Sequence, residues 1–504
     1  MAIAFSQIPA NLRTNGWYFE VDSSQAGGGT STVKPALLMA QRTAAGAVPA
    51  ATLHRITSAA EAAAAHGQGS QLHRMAVAFR AQDPFSELWT IGVADPAGAA
   101  STLDIVVTGP ATASGTLHLY IGGQAVNVTV TSGDAATAIA AAVDTAVNAA
   151  NDLPVTSVNV GAPSVNITLT ALNLGTLGDE IDVRANYRLA AGGESWPAGV
   201  TITAGGNSIE TTPVRLAAGA GVVNTATAIT ALGDTEFDFV AVPWNADATL
   251  DVIETEWNDT TGRWSPLRAA YGHVFAALDD TVGNLTTAGN ARNSQHSSLL
   301  GIESCPAPPW ELAGAVAGQV SRLRNADVAA VYHTAPLNGI LPPRESDRFV
   351  ASERSILLTD GVTPTYVDAA GVLYLEDLIT TWQTNGSGVA DESMLDVTTM
   401  YDLMHIQRTF RDTMSTAYGQ HRIADDGTNF GPGKKIVTPS MILAAAIALF
   451  RQWESDGIVE DFDTFSSLLR AERDATNKKR INVLLPPNVT NAMVTGAVSV
   501  QFRR

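Results

Sequence analysis

The sequence predicts an α/β multidomain protein with a parallel-sheet core, an inserted α+β domain, a C-terminal α+β domain and extended strands at both termini. Its 504 residues are more than one hydrophobic core usually supports. Between residues 206 and 345, short apolar runs alternate with helical patterns, which is typical of a parallel sheet covered by helices. Residues 97–205 are instead rich in Thr, Val, Ala and Gly with few charges, which predicts a separate inserted domain.

Residues 1–30 are predicted to be an N-terminal arm rather than a domain. Side chains alternate there as in a strand, and a flexible glycine break follows the strand. The strand positions are Trp17, Phe19 and Val21, alternating with Tyr18, Glu20 and Asp22, and the linker is Gly27, Gly28 and Gly29.

Residues 31–96 together with 206–365 are predicted to form the core domain. Its expected strands are 36–40, 88–93, 237–242, 274–278 and 298–302, with a helix near 58–65. Leu250, Ile253 and Trp257 indicate another helix, for which Asp247 is placed to cap the N-terminus. Within the inserted domain, 97–205, we expect strands at 116–121, 125–131 and 164–169 around an Ala-rich helix at 135–150.

Residues 366–480 are predicted to form the C-terminal domain. A hairpin at 365–368 and 372–375 precedes an amphipathic helix within 392–419, in which apolar residues recur at spacings of three and four. Thr438-Pro439 marks the start of a second helix that runs to about residue 454.

Residues 481–504 are predicted to be a C-terminal arm. An extended run at 481–485 leads to Pro486 and Pro487, and a final strand at 497–503 places Val498, Val500 and Phe502 on one face. Such a terminal strand either completes the chain's own sheet or adds to the sheet of another chain.

The charge distribution limits the possible partners. A formal net charge of −19 argues against binding to nucleic acid phosphates, which needs clustered Lys and Arg. From Arg470 to the terminus, seven basic residues face two acidic ones, a local balance of +5. This basic segment is either a solvated charge run or is attracted to an acidic neighbouring copy.

Other features are informative mainly by exclusion. The lone Cys305 excludes an internal disulfide and a cysteine-rich zinc site. We find no signal peptide, and the most apolar run, 441–450, is too short to cross a bilayer, so we expect folding in a cytoplasm without membrane insertion.

An enzyme of this fold class would hold its ligand at the carboxyl ends of the predicted strands. The polar residues expected there are Asn245, Asp247, Asp279, Asp280 and Glu303. They could hold a divalent ion, but Asp and Asn are common in turns and caps, and that interpretation is favoured. No phosphate loop, zinc motif or nucleophile elbow is present, so no catalytic residue, cofactor or metal is expected. A hydrolase using these carboxylates remains an alternative.

Four stretches together resemble the contractile tail sheath protein of Mu-like phages, in the same order along nearly the whole chain. They are Ile3-Ala-Phe-Ser-Gln-Ile-Pro9, Ser24-Gln-Ala-Gly-Gly-Gly29, Gly115-Thr-Leu-His-Leu-Tyr-Ile-Gly-Gly123 and residues 483–502. The resemblance implies a structural subunit of the virion that polymerises around a tail tube and contracts to drive the tube through the host envelope. It further implies a subtilisin-like core, although the chain lacks the histidine and serine motifs of a subtilisin.

The resemblance also implies the partners and the roles of the termini. Arms at about 5–29 and 481–504 would donate strands to neighbouring copies, with the glycine linker and the Pro486-Pro487 bend as hinges or aiming elements. Further partners would be the tube protein, the baseplate and the tail terminator, with assembly in the host cytoplasm. Asp377 stands where the family pattern suggests an arginine. A non-contractile tube or surface-layer protein is a second alternative, and deletion of residues 488–504 is expected to leave a folded body that forms no tubes.

Overall fold

The computed structural model describes residues 34–189, 192–431 and 433–503. The predicted N-terminal arm, including Trp17, Phe19, Val21 and Gly27, Gly28 and Gly29, lies outside the described residues.

Strands and helices are numbered in chain order over the described residues. The strands are β1 (Ala36–Gln41), β2 (Leu53–Ile56), β3 (Leu88–Val93), β4 (Ala100–Thr108), β5 (Gly115–Ile121), β6 (Gln124–Val130), β7 (Val155–Asn159), β8 (Asn166–Leu174), β9 (Asp182–Ala185), β10 (Thr201–Ala204), β11 (Asn207–Ser208), β12 (Val214–Arg215), β13 (Phe239–Ala241), β14 (His273–Asp279), β15 (Ser297–Ile302), β16 (Pro336–Leu337), β17 (Val362–Val367), β18 (Leu373–Leu375), β19 (Arg422–Ile423), β20 (Ile436–Val437), β21 (Val459–Glu460), β22 (Arg470–Arg473), β23 (Ile481–Leu484) and β24 (Asn488–Val489). The helices are α1 (Ala59–His66), α2 (Gln71–Gln82), α3 (Ala136–Ala149), α4 (Ala226–Leu232), α5 (Asp247–Glu256), α6 (Val282–Asn290), α7 (Pro309–Ala326), α8 (Ala351–Thr359), α9 (Val397–Tyr418), α10 (Pro439–Ser455) and α11 (Phe462–Leu468).

A nine-stranded sheet forms the core, in the order β16-β18-β17-β15-β14-β13-β1-β3-β2. The run from β3 through β1, β13, β14 and β15 to β17 is parallel, as the alternation of strands and helices predicts. Every residue of β1 and β15 is buried, which explains their nearly continuous apolar sequences.

Helices α2 and α7 pack closely against each other beside this sheet. Two glycines of α7 permit the approach, because a Cβ atom at Gly314 would lie 2.8 Å from the carbonyl oxygen of Met75, and one at Gly318 would lie 2.6 Å from that of Phe79. The side chains of Arg74 and Glu311 also meet inside this contact, with Nε and Oε1 2.8 Å apart.

The inserted region forms two sheets of its own, β11-β10-β4-β8-β7 and β12-β9-β5-β6, together with α3. Its strands continue past the predicted end at residue 205 as far as β12. The inserted region meets the carboxyl ends of the core strands. Gln41, the last residue of β1, donates to Leu174 O at 2.7 Å, and Arg215 Nη2 lies 2.9 Å from Oδ1 of Asp279, the last residue of β14.

The C-terminal region meets the amino ends of the core strands, opposite to the inserted region. It has a second, smaller apolar cluster around α10. Helix α9 joins the two cores, since Val397, Met400 and Met404 pack in the main core, whereas Ile406 belongs to the second cluster. No helix in the described residues is long and apolar enough to cross a membrane.

Two predicted details need correction. Ala246, not Asp247, is the N-cap of α5, because the Asp247 carboxylate faces Arg292 instead, at 3.2 Å from Nη2. The predicted domain boundary at 365/366 falls inside β17, whose hairpin with β18 belongs to the core sheet. Residues 497–503 form no strand in the single chain, and their predicted pairing with a neighbouring copy stays a prediction.

Candidate functional site

The first part of the predicted C-terminal arm is a strand of the chain's own sheet. β23 pairs antiparallel with β22 along all four residues of each strand. Asp474 closes the turn between them, since its Oδ1 accepts from the backbone N–H groups of Thr476 and Asn477 at 2.8 and 2.7 Å. This sheet contains two strands among the described residues, so each strand has one outer edge without a strand partner.

Pro486 and Pro487 lie between two segments that are both bonded within the chain. β23 precedes them, and β24 follows them and pairs antiparallel with β21. Thr490 then donates its backbone N–H to Ile458 O at 3.1 Å and its hydroxyl to Gly457 O at 2.9 Å. Among the described residues, the hydrogen bonds to the rest of the chain end at Thr490, and residues 491–503 form none.

Residues 491–503 form no helix or strand in the single chain and expose apolar side chains. Val498, Val500 and Phe502, predicted on one face of a strand, are 87%, 85% and 81% exposed. A row of large apolar groups in water usually marks a surface that contacts a partner. The backbone N–H and C=O groups of this segment have no ladder partners in the single chain.

Basic residues precede this segment in the chain. Lys478 and Lys479 are exposed in the turn between β22 and β23. Arg473 reaches Asp425 with Nη1 and Oδ1 3.2 Å apart, and Arg480 lies 4.0 Å from Asp474. Exposed pairs of this kind contribute little to stability.

Of the five residues predicted at the strand ends, Asp279, Asp280 and Glu303 line one pocket at the junction with the inserted region, whereas Asn245 and Asp247 lie outside it. Asn245 donates from Nδ2 to Glu180 of the inserted region, and Asp247 faces Arg292 on the outside of α5. Asp280 bonds the Thr281 N–H at 2.7 Å, as a local turn residue does. Burial and neighbouring carboxylates raise the pKa of Glu303, but no hydrogen bond ties it to the other four.

The carboxylate of Asp279 joins the core to the inserted region. It accepts the backbone N–H groups of Ser304 and Cys305, both at 2.8 Å, besides pairing with Arg215. Burial raises the pKa of Asp279 to about 6, while Arg215 acts in the opposite direction. Nearby, Arg184 and Asp182 form a second buried pair, with Nε and Oδ1 2.6 Å apart.

Two observations describe the chemistry of this junction. Within the described residues, no group of three or more His, Cys, Asp or Glu side chains is arranged to hold a metal ion. Burial also raises the pKa of the Cys305 thiol, which disfavours the nucleophilic thiolate. The carboxylates of the junction therefore hold two parts of the fold together.

Comparison with known proteins bears on the exposed C-terminal segment. Residues 389–503 match the phage tail sheath C-terminal domain, and residues 218–381 match the phage tail sheath protein central domain. Over 504 residues the chain is 34% identical to the Mu-like prophage FluMu tail sheath protein of Haemophilus influenzae, and both chains are covered completely. The chain belongs to the phage tail sheath family. The resemblance predicted from the sequence is thereby confirmed, and the family is structural rather than enzymatic.

Solved sheath structures resemble this sheath subunit at low sequence identity. The sheath tail protein of Desulfitobacterium hafniense is 12% identical with a TM-score of 0.48, covering 94% of this chain and 100% of the other. The sheath tail protein of Listeria innocua is 11% identical with a TM-score of 0.49, covering 91% and 92%. The contracted helical sheath of the anti-feeding prophage is 12% identical with a TM-score of 0.48, covering 98% and 99%.

Sequence reasoning missed the ion pairs that attach α9 to the sheath core. Arg408 binds Asp238, the residue before β13, through Nη1 and Nη2 at 2.9 and 3.0 Å. Arg324 Nη1 lies 2.7 Å from Asp402 Oδ1, and both side chains are buried. The partners are 170 and 78 residues apart, so no local pattern could have revealed them.

Proposed function

We propose that this sheath subunit polymerises around a tail tube through strands donated by its termini, and that the polymer contracts to drive the tube through the host envelope. One observation supports strand donation most strongly. The chain ends in a segment with an alternating apolar face, Val498, Val500 and Phe502, that remains exposed in the single chain. Exposed edges of short sheets in the same domain, β22 and β23, offer a place where a strand from another copy can add.

The energetics favour such an exchange. Burial of a Val or Phe side chain contributes about 1.5–3 kcal/mol, so the three together supply on the order of 5–9 kcal/mol before the cost of ordering the segment. Main-chain hydrogen bonds to the accepting edge add to this and fix the register. The positive charge around Lys478 and Lys479 further favours contact with an acidic neighbouring copy.

The length of the free segment allows movement without dissociation. The stretch 491–503, extended at about 3.3 Å per residue, spans up to about 43 Å. Because 481–490 is held by its own domain, a rigid body can rotate while its arm keeps its place in a neighbour's sheet. Contraction of this kind needs no nucleotide if the extended polymer is metastable.

The remaining parts of the proposal follow from membership of the family. The inner partner is the tail tube, and the ends of the polymer meet the baseplate and the tail terminator. The subunit is a virion component that assembles in the host cytoplasm, and its nine-stranded core corresponds to the subtilisin-like part of sheath proteins. The N-terminal arm, with Trp17, Phe19 and Val21, donates the second strand.

Electron microscopy of two matched full-length variants tests strand donation. The variant V498S/V500S/F502S removes the apolar face, and S499A/Q501A changes the opposite face of the same segment. We expect extended and contracted tubes from the wild type and the S499A/Q501A variant, and no tubes from the triple variant. Tubes from all three proteins would refute strand donation, and wild-type tubes that never contract would favour a plain tube protein.

A further inference from the structure

A side chain of α3 closes the outer edge of β7 in the inserted region. β7 is the last strand of the order β11-β10-β4-β8-β7, so one of its edges has no strand partner within the described residues. Asn148 of α3 occupies this edge at its midpoint. Its Nδ2 donates to Ser157 O at 2.8 Å, and its Oδ1 accepts from Ser157 N at 3.0 Å.

The amide of Asn148 therefore forms the pair of bonds that an adjacent antiparallel strand would form. Asp144, one turn earlier on α3, strengthens the arrangement. It accepts from the Ser157 hydroxyl at 2.6 Å and from Asn148 Nδ2 at 3.3 Å. Together, Asn148 and Asp144 form hydrogen bonds with the outward-facing backbone N–H and C=O groups and with the hydroxyl group of Ser157.

Without this cover the edge would suit a second copy of the chain. Val158 of β7 and Val160 just after it are 57% and 50% exposed, and β7 itself contains no Lys or Pro that would discourage pairing. The uncovered edge would thus combine free backbone groups with exposed apolar side chains. In a polymer, the local concentration of such edges is high.

We propose that Asn148 is an edge-blocking residue that keeps the inserted regions of neighbouring copies from pairing at β7. Strand exchange between copies is then left to the chain termini, a consequence that rests on the proposed function. The blocking itself needs only the geometry around Ser157.

The test uses full-length protein carrying V498S/V500S/F502S, so that association through the arm is removed. N148A is compared on this background with T145A, since Thr145 lies on the exposed side of the same helix and bonds only Ala141 O. Loss of the two bonds to Ser157 should accelerate amide hydrogen exchange at Ser157 about tenfold. Sedimentation velocity should show association of the N148A protein only, and V158K/V160K should suppress it.

Unchanged exchange at Ser157, or faster exchange without association, would overturn the proposal. If N148A does not fold, N148L serves instead, because it keeps the volume of the side chain and removes both the donor and the acceptor; the same two outcomes decide. Failure of the proposed function is recognised separately, as a wild-type protein that forms no tubes, and leaves the exchange measurement at Ser157 valid.

Discussion

The buried pair of Arg324 and Asp402 provides a quantitative test of how α9 is held to the core. The two side chains are 1% and 2% exposed, and Arg324 Nη2 also donates to Tyr401 O at 2.8 Å. Arg324→Met removes the cation and leaves the carboxyl group of Asp402 in an apolar site without its partner. Removal of one member of a buried pair costs about 3–5 kcal/mol, so we expect the free energy of unfolding to fall by that amount at pH 8.

The pH dependence of this loss can be worked out from Asp402. Burial raises the pKa of Asp402 to about 6 even though Arg324 opposes the shift, so removal of Arg324 raises that pKa further. The carboxyl group of the variant is then neutral at pH 5, and the unpaired charge disappears. The destabilisation by Arg324→Met should therefore be largest at pH 8 and clearly smaller at pH 5.

Urea titration followed by tryptophan fluorescence measures these differences, and a double variant supplies the control. Arg324→Met with Asp402→Leu replaces the pair by apolar side chains and should recover most of the lost stability. If the double variant is as unstable as the single one at both pH values, the unpaired carboxylate is not the cause and the reasoning fails.

Two further predictions concern single positions. Burial and, to a smaller extent, the charge of Asp396 raise the pKa of Asp377 from 3.8 to about 6. The folded state therefore loses stability as the pH rises from 3.8 towards 6. Asp377→Asn should raise the free energy of unfolding, measured by urea titration, by up to about 2 kcal/mol at pH 7 but not at pH 4. Gly318→Ala should lower the free energy of unfolding by about 1–3 kcal/mol, because the added Cβ meets Phe79 O. Gly283→Ala in α6 is the control: its Cβ meets open space, so it should raise the free energy of unfolding by up to about 1 kcal/mol. Equal effects of the two substitutions would contradict the close contact between α2 and α7.

The core strands were predictable because buried strands contain short runs of apolar residues. β1, β14 and β15 are almost entirely buried, and each contains a short apolar run, with polar residues confined to the ends of the strand. Helix α2 was missed for the opposite reason. Its buried face includes Gln71, His73 and Arg74, and Arg74 is satisfied by Glu311, 237 residues away. When the partner of a buried polar residue is distant in the sequence, the sequence alone predicts that the polar residue is exposed.

The C-terminal segment was predictable only in part. The alternation of Val498, Val500 and Phe502 correctly marked large apolar groups without a place in their own core. The pairing of β23 and β24 within the chain was not foreseen, because strands of four and two residues give too short a pattern and the turn at Asp474 looked like part of a charge run. The structure therefore moves the start of the free arm from residue 481 to residue 491.

Truncation after Thr490 tests the central claim most directly. The shortened protein keeps β23, β24 and the bonds of Thr490, and loses only the segment without partners in the single chain. We predict a folded subunit with unchanged far-UV circular dichroism and unfolding temperature that forms no tubes by electron microscopy, beside a wild type that does. Tubes formed by the truncated protein, or its unfolding, would contradict the account, since the last residues would then be dispensable for assembly or part of their own domain.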